Sequence, residues 1–278
     1  MLKHEYSYKP SAVFHGRGGR HRSSPFLGVE LELQPREPSS HRGFAVLELD
    51  DRNWYCKVDG SLHLGGEEYV SHPRTLLSWR RMVKVWPFSY EVFSVPDSEY
   101  GMHVHADHGF LGFDEIRAAL FVRKLLCRLC DDESHVYRLI CGREPNSWCI
   151  IGDDDLTISH HYSGIGLRPK TLEFRVFRST TRSDRFMARV EFVDAVMRYT
   201  KSLYSVTNEP NPVPSDLLNW IAIRKNFYPA LCGLLREAGV YVPQRGRPAS
   251  VIRRPRKPRQ AVQEQPVQPI TSENLSCA

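Results

Sequence analysis

The residues best suited to chemistry come in pairs spaced two apart. Glu30 and Glu32 stand among Val29, Leu31 and Leu33. His103 and His105 stand among Met102, Val104 and Ala106, and Glu173 and Arg175 among Leu172, Phe174 and Val176. On an extended strand successive side chains point to opposite faces, so each polar pair shares one face and its apolar neighbours the other. Strands of this kind laid side by side would gather carboxylates, imidazoles and a guanidinium on one surface. One such strand alone is commonly just a solvated face. Three in one chain favour a different reading, because same-face glutamates repel unless something positive lies between them. Carboxylates joined by a histidine suit Mg²⁺ or Mn²⁺, and the imidazole tilts the choice toward Mn²⁺.

A fourth part follows the first pair. Lys57-Val58-Asp59-Gly60-Ser61-Leu62 contains a turn signal, and Glu67-Glu68-Tyr69-Val70-Ser71 reads as a strand bringing one more carboxylate. Strand parity leaves Glu67 and Glu68 both open, since a bulge near Gly65-Gly66 would move the register.

The elements that must hold these groups can be read from periodicity. Phe26 to Gln34, Trp54 to Val58, Glu67 to Ser71 and Gly101 to Ala106 read as strands, and Leu156 to Ser163 with Thr171 to Phe177 as a further strand pair. Helices are expected from Thr75 to about Val85 and from Asp114 to Leu129. A long helix capped by Ser183-Asp184 and a last one from about Tyr228 to Ala238 complete the set. Strands and helices do not alternate strictly, which predicts the α+β class: an antiparallel sheet with helices packed on one face.

The motif series resembles the amidoligases, a family within the carboxylate–amine ligase superfamily of glutamine synthetase and glutamate–cysteine ligase. It consists of Gly28-Val29-Glu30-Leu31-Glu32, Lys57 to Leu62, Glu68 to Ser71, Gly101-Met102-His103-Val104-His105 and Thr171-Leu172-Glu173-Phe174-Arg175, in the family's order over about residues 26 to 240. The resemblance implies a glutamine synthetase catalytic-domain-like fold and an ATP-dependent ligase. Such an enzyme forms an amide from a small-molecule or peptide carboxylate and an amine donor through an acyl phosphate, with two or more Mg²⁺ or Mn²⁺ ions. Glu30, Glu32, Glu68, His103 and Glu173 match metal ligands, with Glu30 and Glu32 also serving catalysis. Arg175 matches the arginine that meets the transferring γ-phosphoryl group. Lys57, Asp59, Ser61 and His105 match positions nearer ATP or the substrates. Ser159 to Gly164 departs from the family in lacking an asparagine after the aromatic residue. Many members of the family occur in bacteria and phages.

Composition narrows the rest. The 278 residues are 41% hydrophobic and 25% charged, which suits a folded chain rather than a largely disordered one. No apolar run approaches the roughly 18 to 20 residues of a membrane span, and Met1 to Pro10 lacks the apolar core of a signal peptide. Seven scattered cysteines suit a reducing, cytoplasmic setting. Cys127 and Cys130 fall on an apolar helical run and read as core. The net charge of +6 divides into +4 on residues 1–25, +5 on 245–278 and −3 on the body between them. The first segment reads as a flexible basic arm, residues 26–244 as the catalytic domain, and 245–278 as a disordered Pro/Arg-rich tail. Arg245-Gly246-Arg247-Pro248 resembles an AT-hook core, and the tails suit nonspecific nucleic-acid contact. Two other functions compete with the ligase: a nucleic-acid-binding accessory protein with an inactive ligase-like body, and a metal-dependent hydrolase. Gly164 to Thr171 is no phosphate loop, because Pro169 stands where a glycine is needed before Lys170.

Overall fold

The structure, a computed structural model, describes residues 3–16, 23–36, 51–62, 65–96, 99–147, 149–151, 162–208, 210–237 and 239–240. Its strands are β1 (Lys3–His4), β2 (Leu27–Pro35), β3 (Trp54–Val58), β4 (Glu67–Ser71), β5 (Phe93–Ser94), β6 (Gly101–Asp107), β7 (Ile165–Leu167) and β8 (Thr171–Arg178). Its α-helices are α1 (Leu76–Met82), α2 (Glu115–Asp132), α3 (Ser134–Cys141), α4 (Ser183–Tyr204), α5 (Pro214–Ile223) and α6 (Pro229–Glu237). The strands form one sheet in the order β1-β3-β4-β2-β6-β8-β7, with β5 on the far end of β2. Every pairing is antiparallel except that of β1 with β3. The protein is thus of mixed α+β class, with a mostly antiparallel sheet and helices.

Alternation decides which side of the sheet becomes core. Val29, Leu31 and Leu33 of β2, Met102 and Val104 of β6, and Leu172, Phe174 and Val176 of β8 are all buried in one cluster with side chains of α2 and α4. Helix α2 begins where Asp114 accepts a hydrogen bond from the Arg117 N–H at 2.8 Å. It buries Val122, Leu125, Leu126 and Leu129, and Cys127 is buried with them as expected. Helix α4 is buried nearly all round and carries two carboxylates into the interior. Glu191 accepts from Arg80 at 3.0 Å and from the Leu231 N–H at 2.9 Å. Asp194 accepts from Arg198 at 2.6 Å and from the Tyr228 hydroxyl at 3.0 Å. These bonds fasten α1 and α6 to α4, and each buried oxygen that gains a donor avoids the cost of an unpaired polar group. Around the same helix, Phe186 packs on Trp79 and Trp86 with centroids 5.3 and 4.6 Å away.

Several sequence expectations are revised here. Arg182, not Ser183, is the N-cap of α4, with no side-chain capping bond, and Asp184 pairs instead with Arg182 at 2.6 Å. Helices α3 and α5 and strands β1, β5 and β7 are additional. The strand proposed for Leu156 to Ser163 lies largely outside the described residues, and β8 pairs with β7 and β6. Residues 3–16, expected to be a flexible arm, run along the sheet. Lys3 reaches Glu67 at 3.0 Å, His4 stacks on Tyr8, and Tyr8 meets Tyr55 edge-on. The expectation of a flexible arm over residues 1–25 rests on the Gly/Arg run at 16–20 and on Ser23-Ser24-Pro25, which lie beyond His4 and Tyr8 in the sequence. The chain divides into units 1–246 and 247–278, and the second, with the tail proposed to contact nucleic acid, lies outside the described residues. Among those described, no helix is long and apolar enough to cross a membrane.

Phe186→Ala should cost roughly 3–5 kcal/mol of stability, the usual range for emptying a buried aromatic site, as a lower urea midpoint read by tryptophan fluorescence. A loss under about 1 kcal/mol would mean that the aromatic cluster does not anchor α4.

Candidate metal centre

Pairing register brings the polar residues together on the face opposite the core. β2 lies between β4 and β6, and its register sets Glu30 beside His103 and Glu32 beside Glu68. β3 adds Lys57 opposite Glu68, and β8 adds Glu173 opposite His105. A register shift in the β6–β8 pairing leaves Arg175 and Val176 together opposite His103. Such bulges re-aim side chains, and here Arg175 Nη1 lies 3.5 Å from His103 Nδ1.

The distances are short. His103 Nδ1 lies 3.4 Å from Glu30 and 3.8 Å from Glu173, and its Nε2 lies 3.7 Å from Glu32. His105 Nε2 lies 3.3 Å from Glu30 and 4.0 Å from Glu173. Arg175 donates to Glu173 at 2.9 Å, Lys57 pairs with Glu68 at 2.8 Å, and Glu32 accepts from the Gly101 N–H. With Glu173 only 2% exposed, Glu68 5% and His103 6%, this is not a solvated sheet face. Carboxylates so buried would be costly without compensating charge.

Electrostatics divide the acids. Burial alone would raise Glu30, but His105 and His103 outweigh it and hold the carboxyl well below its ordinary value. Glu173 is likewise lowered: His105, His103 and Arg175 together overcome its burial. Glu32 is raised, because burial outweighs His103 and the Gly101 N–H. Glu68 is pushed up to about 8 by burial and by the charge on Glu30, against the pull of Lys57. His105 is raised: burial lowers it, and Glu30 and Glu173 more than reverse that.

Glu30, His105 and Glu173 can each present a ligand atom within 4.8 Å of the others. Among the described residues the buried His105 Nε2 finds no well-aligned hydrogen-bond partner, although Glu30 lies 3.3 Å away. That arrangement fits a nitrogen and carboxylates sharing a cation. The donor set, oxygen-rich with imidazole, also fits Mg²⁺ or Mn²⁺. Beside it lies a cleft of about 40 Å³, lined by residues including Glu32, Ser61, His103, Arg143 and Arg175. That is room for about three waters or an ion with its own.

The ten residues singled out in the sequence fare unequally. Glu30, Glu32, Glu68, His103, His105, Glu173 and Arg175 share the face, and Lys57 joins them through Glu68. Glu67 points the other way, taking the Tyr69 hydroxyl and Lys3, which leaves Glu68 as the acid on this surface. Ser61 lines the cleft, whereas Asp59 is occupied in a turn, accepting from the Ser61 N–H and hydroxyl at 2.9 and 2.8 Å. His105, set nearer the substrates from sequence, belongs to the three-ligand group with Glu30 and Glu173. Sequence reasoning missed Arg168, which donates to Glu173 at 2.6 Å from the β7–β8 hairpin, and Arg143, which donates to the Arg175 carbonyl. Hairpin pairing next to Glu173 could have signalled Arg168. Nothing local marks Arg143. His160 and His161 lie outside the described residues.

The linkage at His105 has a definite sign. Its folded-state value lies above the ordinary imidazole value, so without metal its contribution is fully present below about pH 6.5 and is lost as pH rises through the folded value. Metal-free protein should therefore lose stability over that rise more steeply than His105→Gln in pH-stepped urea melts. Parallel curves would refute this electrostatic coupling. Comparison of the sequence with protein-family models and with curated proteins finds no match to either, so the chemistry rests on these side chains themselves.

Proposed function

We propose that the protein is an ATP-dependent ligase that joins a carboxylate to an amine through an acyl phosphate. The observation that carries this reading is the meeting of Glu30, His105 and Glu173 within 4.8 Å, with Arg175 bonded to Glu173 at 2.9 Å. The mostly antiparallel sheet with its acids on the face away from the core is also what a glutamine synthetase-like catalytic domain would require.

Forming an amide from a free carboxylate is uphill, and phosphorylating that carboxylate supplies the driving force. Glu30, Glu32, His103, His105 and Glu173 would hold Mg²⁺ or Mn²⁺, which when bound neutralises phosphate charge and polarises the reacting phosphoryl oxygens. The chain's own residues do the rest. Glu30 and Glu173 stay ionised because histidines and arginines surround them. Arg175, oriented by Glu173, offers its guanidinium to charge that builds on a phosphoryl group in flight. Ser61 and Arg143 at the cleft wall can orient the phosphoryl acceptor. The cleft of about 40 Å³ beside these residues is where a phosphoryl group would approach them.

A metal-dependent hydrolase could use the same acids and histidines. Arg175 favours phosphoryl transfer, because it adds a cation beside the acids that a simple water-activating site does not need. Mn²⁺ titrated into metal-free protein and followed by electron paramagnetic resonance should bind, and Glu30→Gln should weaken it by roughly tenfold or more. With Mg²⁺, ATP, hydroxylamine and a panel of carboxylates, the wild type should release ADP and form a hydroxamate. Arg175→Ala should form none while still binding Mn²⁺. Unchanged Mn²⁺ affinity in Glu30→Gln would remove the centre. Phosphoester cleavage without ADP formation would replace the ligase by the hydrolase.

A further inference from the structure

We propose that a second, basic basin binds an organic phosphate, with the phosphate among arginines and the organic part against an apolar wall. The basin has a volume of about 440 Å³ and lies where the end of β8, the end of α3 and the first turns of α4 meet. Five arginines line it: Arg36, Arg178, Arg182, Arg185 and Arg189. Among the described residues no carboxylate lines it, and it shares none of them with the cleft on the sheet face.

The neighbouring acids compensate only part of this charge. Arg182 is paired with Asp184 at 2.6 Å, and Arg185 lies 3.6 Å from Glu237. The other three are held, among the described residues, by main-chain carbonyls. Arg36 donates to Tyr90 at 2.6 Å and Arg178 to Val95 at 3.4 Å. Arg189 donates to Ile140 at 3.0 Å and to Arg178 at 2.6 Å. Carbonyls orient a guanidinium without cancelling its full charge. Burial, with Arg185, Arg143 and Arg178 nearby, brings Arg189 down to about 10, so it remains charged at neutral pH.

Other donors converge on the same place. Ser179, Thr180 and Thr181 contribute consecutive hydroxyl groups. Ser179 is only 4% exposed, and its Oγ has no hydrogen-bond partner among the described residues, nor has the Nε of Arg178. Helix α4, 22 residues long, begins at the basin, adding first-turn N–H groups and the positive end of its dipole, part of which Asp184 in that turn offsets. Gly142 completes the wall. Its φ of 75° disfavours any side chain, and a Cβ there would collide with the Arg189 guanidinium. Guanidinium forks, hydroxyls and a helix start together are the donors that phosphate oxygens need. The volume lies in the range of small-molecule sites, roughly 300–1,000 Å³, and exceeds what a bare phosphate fills. Phe93, Val95 and Leu139 supply the apolar side.

The test uses the full chain in EDTA, so that the acidic cluster cannot recruit phosphate through a metal. Phenyl phosphate should bind saturably at one site by calorimetry, and more tightly than inorganic phosphate. Arg36→Gln with Arg185→Gln should weaken it by about tenfold or more, while Arg175→Ala should leave it unchanged. In the wild type, phenyl phosphate should also slow phenylglyoxal labelling of Arg36, which decides the matter if the double variant fails to fold. Absent or nonsaturable binding, an unaltered affinity in the folded double variant, unprotected Arg36, or loss in Arg175→Ala would each overturn the assignment. Equal affinity for inorganic phosphate would overturn its organic part.

Discussion

Ionised carboxylates packed together out of water need positive charge between them, and the polar side of this sheet is organised around that need. Glu30 and Glu173 are kept ionised by His103, His105 and Arg175, and Glu173 is gripped from its other side by Arg168. Glu32 and Glu68, with less help, are driven toward their protonated forms. Without metal His105, raised by Glu30 and Glu173, carries part of the positive charge, and a divalent ion would take that over by displacing its proton. The cluster is thus poised between two kinds of counter-charge.

That poise depends on the apolar side. The same strands that present acids on one face bury Val29, Leu31, Val104, Phe174 and Val176 on the other. A slip of one residue in any of them would exchange the two sets. The core anchors the register, and the register sets the distances among the charges. Helix α4 reinforces this through Glu191 and Asp194, whose buried oxygens tie in α1 and α6. Those are structural carboxylates, held by donors from the fold itself through both oxygens of Glu191 and through Oδ2 of Asp194. On the sheet face Glu173 takes Arg168 and Arg175 and Glu68 takes Lys57, while Glu30 leans on the histidines.

The molecule therefore carries two charged regions of different make-up: acids interleaved with histidines and arginines on the polar sheet face, and arginines with hydroxyls where β8 runs into α4. Strand β8 contributes to both. Glu173 and Arg175 serve the first, while Arg178, beyond the register shift opposite His103, serves the second.

The i, i+2 spacing of Glu30/Glu32, His103/His105 and Glu173/Arg175 was enough to read three strands and their shared polar face, because strand periodicity is local. Long helices were equally legible from apolar spacing. Glu67 against Glu68 was not: both are acids on one short strand, and only pairing with Glu32 and Lys57 selects the second. Arg168 and Arg143 entered the site through a hairpin and a distant loop, and the arginine basin assembled from residues as far apart as Arg36 and Arg189. Neither leaves a periodic trace. The sequence by itself determined which strands would have one polar face, since that follows from each residue's neighbours. Only tertiary structure decided which strands stand side by side, and hence which charges lie close enough to shift one another, because that is settled by burial of the opposite face.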